Sequence, residues 1–233
     1  MVFRKRMRLA GLTVVLFAAA AAPAFAQTGF YVGATAGQSL FHQDRGEADA
    51  AIVTAFDNNG LTVLNGSSSI DKTDLAFGGL VGYRFIPSFA VEAGYVDLGK
   101  LNYKFSGSVA GFVPRGVSPH PATANLTAKA KGPTLAALGI LPLSPAWDVY
   151  GRFGLIFSKV TLTADLTVES LAGSDSQSAN SVDPLIGIGT AWHVGNNVSL
   201  RAEYTRFSNV GDKDKTGQTN IDLFSLGVTY LFR

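Results

Sequence analysis

The sequence of 233 residues contains no cysteine, only two methionines and three histidines, and just 15% of it is charged. Without cysteine there is no disulfide framework, no thiolate metal ligand and no thiol nucleophile. Both methionines, Met1 and Met7, and four of the 19 Lys and Arg residues lie in the first 26 positions. There Arg4, Lys5, Arg6 and Arg8 precede the apolar run Leu9–Pro23, which closes on Ala24-Phe25-Ala26. That order of basic, apolar and small residues reads as a secretory signal peptide over 1–26, cleaved after Ala26. The remaining 27–233, 207 residues, carry 15 basic against 17 acidic side chains, so the formal charge passes from +2 to −2. A general basic surplus of the kind that binds nucleic acid is thereby excluded. Beyond Ala26 no apolar run approaches the ~18 residues of a spanning helix, so a helical membrane anchor is excluded as well.

What the mature chain does have is two-residue alternation, in eight blocks at about 29–39, 74–85, 89–101, 129–141, 147–160, 182–194, 198–208 and 220–232. Alternation over this length predicts strands, and an even number of antiparallel strands brings both termini to one side. The connections also alternate. Those around Ile86-Pro87-Ser88, Leu143-Ser144-Pro145-Ala146 and Gly195-Asn196-Asn197 are short, whereas 40–73, 102–128, 161–181 and 209–219 are long and rich in Ser, Asn, Asp and Gly. Short turns on one rim and long loops on the other predict the periplasmic and extracellular ends of an outer-membrane barrel. Within the first long loop, Ala48–Phe56 has the composition of a short packing helix, and Val160–Val168 continues the alternation of the fifth strand upward.

A single apolar face suits either a soluble ligand-binding barrel or a membrane barrel, and the mid-strand charges decide between them. Phe224, Leu226, Val228, Tyr230 and Phe232 share one face, and Ser225, Gly227 and Thr229 the other. Glu92 lies opposite the face of Phe89, Val91, Ala93 and Tyr95, while Arg201 and Glu203 oppose Leu200, Ala202 and Tyr204. Arg84 and Arg152 likewise oppose the bulky residues of their strands. All five charges fall on the glycine-rich side, which predicts a polar lumen. The lipid face must be free of them, because an arginine at the bilayer midplane costs roughly 2–4 kcal/mol. Tyr83, Phe85, Phe89, Trp192, Tyr230 and Phe232, with Phe30 and Trp147, fall near strand ends and are expected to form lipid-interface girdles.

The run Gly82-Tyr83-Arg84-Phe85-Ile86-Pro87-Ser88-Phe89-Ala90-Val91-Glu92-Ala93-Gly94-Tyr95-Val96-Asp97-Leu98-Gly99-Lys100 resembles the second hairpin of the OmpA-like transmembrane domain family. Gly29-Phe30-Tyr31-Val32-Gly33, Leu200-Arg201-Ala202-Glu203-Tyr204 and Ser225–Phe232 resemble its first, seventh and eighth strands. The resemblance implies an eight-stranded antiparallel up-and-down transmembrane β-barrel with a lumen ion-pair network. It puts Glu92 and Arg201 at a salt bridge proposed in that family to gate a narrow path. It also implies that Ala137 stands where the family has a lumen lysine and Ala191 where it has a lumen acid, which removes competitors for that bridge. The sequence ends at Arg233, one residue after Phe232, so the peptidoglycan-binding domain of longer members is not expected.

The chemistry expected in the lumen is charge pairing. Eight strands leave an interior that side chains fill, and Glu92 and Glu203 are there to be neutralised by Arg84, Arg152 and Arg201. The two glutamates can also be read as paired carboxylates for acid–base work, but facing arginines favour ion pairing. His42, His120 and His193 show no metal-ligand spacing, and no one serine stands out as a nucleophile. No catalytic residue, metal or cofactor is expected. The reading is a structural or surface-interaction protein of the Gram-negative outer membrane. A low-conductance pore, a lipid-modifying enzyme and a secreted soluble barrel are the alternatives. Expected partners are outer-membrane lipids, and periplasmic chaperones and the barrel-assembly machinery through the C-terminal strand; the partner of the extracellular loops is not legible, and no nucleic acid is expected.

Overall fold

Alternating bulky and small residues make strands whose two faces differ, and here the bulky face has no protein to cover it. The computed structural model describes residues 28–111, 119–213 and 215–232, so the expected signal peptide, Met1–Ala26, lies outside the described residues. In chain order the elements are β1 (Gly29–Phe41), α1 (Arg45–Asn58), β2 (Leu61–Asp71), β3 (Thr73–Ile86), β4 (Phe89–Gly111), β5 (His120–Ser144), β6 (Trp147–Val168), β7 (Leu171–His193), β8 (Val198–Val210) and β9 (Thr219–Leu231). All strand pairs are antiparallel. The order β3-β1-β9-β8-β7-β6-β5 closes through β4, which pairs with both β5 and β3, to give a ring of eight. β2 is the ninth strand and pairs only with the far half of β4, Asn102–Gly111.

The three short turns lie on one rim together with both ends of the described chain, where the Phe232 amide donates to the Phe30 carbonyl at 2.8 Å. On the opposite side the structure differs from the sequence-based expectation. The segments 102–128 and 161–181, expected as loops, are mostly strand: β4, β5, β6 and β7 run 23, 25, 22 and 23 residues. At ~3.3 Å per residue and a tilt of about 40°, such strands rise to roughly twice the ~25 Å apolar band of a membrane barrel. The upper half of β7, Leu171–Ser181, is mostly Ser, Ala, Gly, Asp, Gln and Asn. Leu171–Ser178 is exposed at every position, so neither face has the apolar contrast that marks a strand in sequence. Register between β5, β6 and β7 runs unbroken past Val160, with no bulge there.

β4 changes partner where its neighbour β3 gives way to β2, and Gly99 makes this possible. Its φ of 76° is left-handed, and the register against β5 shifts between Asp97 and Lys100. The loosened backbone is held by acids: Asp97 accepts from the Gly99 amide and Asp74 from the Lys100 amide, each at 2.9 Å. A side chain at position 99 would press on the Asp74 side chain as well as require that unusual φ.

The expected helix in the first loop is present and longer than Ala48–Phe56. Asp44 is its N-cap, accepting from the Gly46 amide at 2.6 Å. Ile52 and Phe56, one turn apart, bury against Tyr103, Phe105, Val109, Ala122 and Ala124 on β4 and β5. Asp49 adds a polar tie by accepting from the Tyr103 hydroxyl. Hydrogen bonds from Ser68 and then Tyr103 hold the Asp49 carboxyl below the ordinary value of 3.8, while burial and then the Asp49 bond push Tyr103 up to about 12. A carboxyl with a lowered folded pKa stabilises above its unfolded value and loses that contribution as pH falls through the folded one. Amide exchange in α1 is therefore expected to accelerate below the ordinary carboxylate value of 3.8. Tyr103→Phe should weaken that acid response in hydrogen-exchange mass spectrometry; an identical profile in the variant would remove the assigned tie.

Candidate functional site

Inward positions on the eight ring strands converge on a lumen whose middle is charged. Arg201 on β8 donates through Nη1 to Glu92 Oε1 on β4 and through Nη2 to Glu203 Oε2 at 3.0 Å. Arg152 on β6 donates to Glu203 Oε1 at 3.0 Å and lies 3.5 Å from Glu92 Oε2. Two acids and two bases thus alternate, and their formal charges cancel. Glu92 is fully buried, and Arg201 is 8% exposed. At that depth an unpaired charge would be strongly unfavourable, whereas a closed set of pairs is tolerated.

Two tyrosines that the sequence reading did not nominate complete the set. The Tyr31 hydroxyl donates to Glu92 Oε1 and the Tyr150 hydroxyl to Glu203 Oε2, both at 2.8 Å. Each ring lies over a glycine directly opposite on the next strand, Tyr31 over Gly82 and Tyr150 over Gly189. A Cβ at either glycine would run into the ring, so the small residues let the tyrosines lie across the lumen wall and reach the acids. Arg201 also donates through Nε to the Tyr150 hydroxyl at 2.9 Å, with its guanidinium 4.5 Å from that ring's centroid. Thr205 supplies one more donor, 2.7 Å from Glu203 Oε1. A signal for the tyrosines was available: Tyr150 lies two residues before Arg152, and Tyr31 between Phe30 and Val32, so both alternate onto the inward face.

Arg84 does not join these four charges. It lies at the turn end of β3, opposite Ala90, one inward step nearer the rim than Gly82 and Glu92. Its partner is Asp148, 2.7 Å away, and its Nε and Nη2 donate to the Pro87 carbonyl. Asp148 is also 3.0 Å from His193 Nε2, and His193 Nδ1 is 2.7 Å from the Ser199 hydroxyl. The lumen therefore holds a central four-charge network and a rim set around Asp148, and above the network a buried Asp183 on β7 accepts from Ser158 and Ser181 at 2.8 and 2.6 Å. Voids of about 60 and 40 Å³ flank the central network. At ~15 Å³ of such volume per molecule, each has room for a few waters.

Above the network the lumen becomes largely aliphatic. Leu98, Ile156 and Ile221 are fully buried, and Leu185, Phe207, Val96 and Leu223 close the layer around them. On β9 Leu223 and Leu231 are large residues on the inward face, each 7% exposed. One position is corrected. Ala137 faces outward with Leu135, while Ala136 and Leu138 face the lumen, so Ala137 does not occupy a lumen lysine's place. Four small or aliphatic residues in a row, Leu135–Leu138, leave the facing of that stretch undetermined by polarity. Ala191 is inward, 8% exposed.

The outer surface carries the complementary pattern. Phe153, Leu226, Phe224, Ile188 and Ile186 are among the most exposed apolar residues, at 59–70%. Near the turn rim Tyr83, Phe85 and Phe89 form one string of ring contacts, and Tyr230, Phe232 and Phe30 another. Trp147 and Trp192 stack with centroids 5.8 Å apart. No helix among the described residues is long and apolar enough to cross a membrane. The crossing is made by strands: a closed eight-stranded ring, apolar and aromatic outside, charge-neutralised inside, is an outer-membrane β-barrel.

The chain belongs to the OmpA-like transmembrane domain family, whose model matches residues 25–233. It is 31% identical over 226 residues to outer membrane protein A of Shigella dysenteriae, covering 95% of this chain and 54% of that protein. To outer membrane protein A of Klebsiella pneumoniae it is 29% identical over 204 residues, covering 87% of this chain and 51% of that one. The chain spans about half the length of these curated relatives. Among solved structures it is similar to Neisserial surface protein A, with a TM-score of 0.41, 15% identity, and 88% and 98% of the two chains covered. Family and barrel together place it in the outer membrane of Gram-negative bacteria.

Proposed function

We propose that this barrel is a closed membrane anchor that presents its extracellular sheet and lid helix to the outside, in a structural or surface-interaction role. The single observation that carries the reading is the double closure of the lumen. Glu92, Arg152, Arg201 and Glu203 cross-link three strands, β4, β6 and β8, at mid-height, and the aliphatic layer of Leu98, Ile156 and Ile221 lies above them. An ion following the axis would have to displace paired charges and then cross a largely aliphatic layer whose buried polar groups, Asp183, Ser158 and Ser39, are already hydrogen-bonded, which costs several kcal/mol. Rigid strands below and long polar extensions above suit a display scaffold, since binding residues concentrate on segments held by such frames. Reconstituted in planar bilayers, the protein is expected to be electrically silent. Reproducible single-channel steps that change with Glu92→Gln or Arg201→Ala would replace this reading with a small pore.

In this reading the partners are outer-membrane lipids around the apolar band, and periplasmic chaperones and the barrel-assembly machinery, which would take β9 with its terminal Tyr230-Leu231-Phe232. A catalytic role is not part of it. Ser199, His193 and Asp148 form a hydrogen-bonded series, but Asp148 is engaged by Arg84. The void beside them, about 60 Å³, is far below the ~300–1,000 Å³ of ordinary substrate pockets.

A further inference from the structure

The extracellular mouth of the barrel encloses a cavity of about 270 Å³, by volume far larger than the voids beside the ion-pair network. Its floor is Phe41, Val160, Val210 and Ile221, each at most 7% exposed, and this floor continues into the aliphatic layer that seals the lumen. Leu101 and Leu126 form part of its wall, and the α1 face carrying Ala48 and Ala51 covers it. Apart from the Tyr103 hydroxyl, already donated to Asp49, the polar side chains stand at the lip. Gln43 donates to Glu47 at 3.1 Å and Gln218 to the Gly211 carbonyl at 3.2 Å, so each amide oxygen is left as an acceptor beside the hydroxyls of Thr216 and Thr219.

We propose that this cavity binds a small, uncharged, largely apolar molecule with one hydroxyl-like polar end, its apolar body on the Phe41–Ile221 floor and its polar end at the Gln43–Gln218 lip. Size and chemistry both support this. A volume near the lower end of the ~300–1,000 Å³ of ligand pockets, largely apolar with a few polar groups at one side, is how small-molecule sites are built. A charged ligand would find no counter-ion inside, because Glu47 and Lys129, the charged residues bordering the cavity, are exposed to solvent. Burying a charge against the aliphatic floor would be strongly unfavourable. The small side chains of Ala48 and Ala51 matter as well: Ala48 packs beside the Ile52 and Phe56 cluster that pins the helix down, and the two small residues leave space next to it. The site lies outside the ion-pair network, so it stands whether or not the lumen conducts.

The test uses the whole barrel in lipid nanodiscs with labelled Ala, Ile, Leu and Val methyl groups, titrated with naphthylmethanol. Methyl resonances of Ala51, Leu101, Leu126 and Ile221 are expected to shift saturably. Those of the outward Leu135, Ile186 and Leu226 should move only in proportion to probe dissolved in lipid. Ala51→Phe, at an exposed helix position that leaves the barrel intact, should weaken binding about tenfold or more, as should Ala128→Phe from the wall. The anionic analogue naphthoate should bind at least about tenfold more weakly than the alcohol. Linear shifts at every methyl, or equal affinity in both filled variants, would overturn the site; naphthoate binding as tightly as the alcohol would overturn the ligand class.

Discussion

Arg201→Ala is expected to destabilise the folded barrel by about 3–5 kcal/mol, because it leaves two buried acids sharing one cation. Glu92 is fully buried and would keep only Arg152, 3.5 Å away, and the Tyr31 hydroxyl; Glu203 would have to share the same arginine. The protein reports on this itself. Its two tryptophans, Trp147 and Trp192, stack at the turn rim against lipid, so their fluorescence in vesicles follows unfolding in urea. The informative companion is Glu92→Gln with Arg201→Met. That pair removes one charge of each sign and leaves Arg152 on Glu203 at 3.0 Å, a neutral couple. It should be markedly more stable than Arg201→Ala alone, with a coupling of at least about 1 kcal/mol in the double-mutant cycle. Strict additivity would show that charge neutrality is not what the network supplies.

The parts of this molecule that were legible in its sequence are those where two faces meet unlike surroundings. Strands crossing the bilayer have lipid on one side and a narrow charged lumen on the other, so Arg152, Glu92, Arg201 and Glu203 could be oriented from neighbours alone. The contrast vanishes above the membrane. Water lies outside Leu171–Ser178 and an open mouth inside, so Ser and Ala serve on either face and the strand is silent in sequence. It vanishes again at Leu135–Leu138, where the facing of Ala137 could not be read. Pairing partners were harder than facing, because height along the axis depends on register. Arg84 and Arg152 both face inward, yet Arg84 lies one inward step nearer the rim than Glu92 and meets Asp148 instead. Asp148 and His193 were invisible as a pair, lying 45 residues apart on strands β6 and β7 and brought together only by closure of the β6–β7 hairpin.

Leu226→Arg should cost roughly 2–4 kcal/mol, the price of a guanidinium at the bilayer midplane. Leu226 is 70% exposed to the surroundings, on the same face of β9 as Phe224 and Val228. Its depth follows from the strand: it lies four residues above Tyr230, one of the rim aromatics, and four residues at ~3.3 Å with a tilt near 40° rise about 10 Å. That places it close to the middle of a band ~25 Å tall. No acid lies on this outer face beside it; its strand neighbours in register are Ala36 and Ala202. An arginine there has only distortion of the bilayer or a bent side chain to relieve it. Tyr230→Arg, on the same face but at the rim, can extend its guanidinium to the headgroups and should cost ~1 kcal/mol or less. The difference between the two positions, measured by urea unfolding in vesicles, separates depth from the general effect of adding a charge. Equal costs at 226 and 230 would mean that this face does not span a hydrocarbon layer, and the outward orientation of the apolar band would have to be abandoned. A gradient would at the same time set the height of the ion-pair network, since Leu226 pairs with Ala202 between Arg201 and Glu203, at mid-membrane.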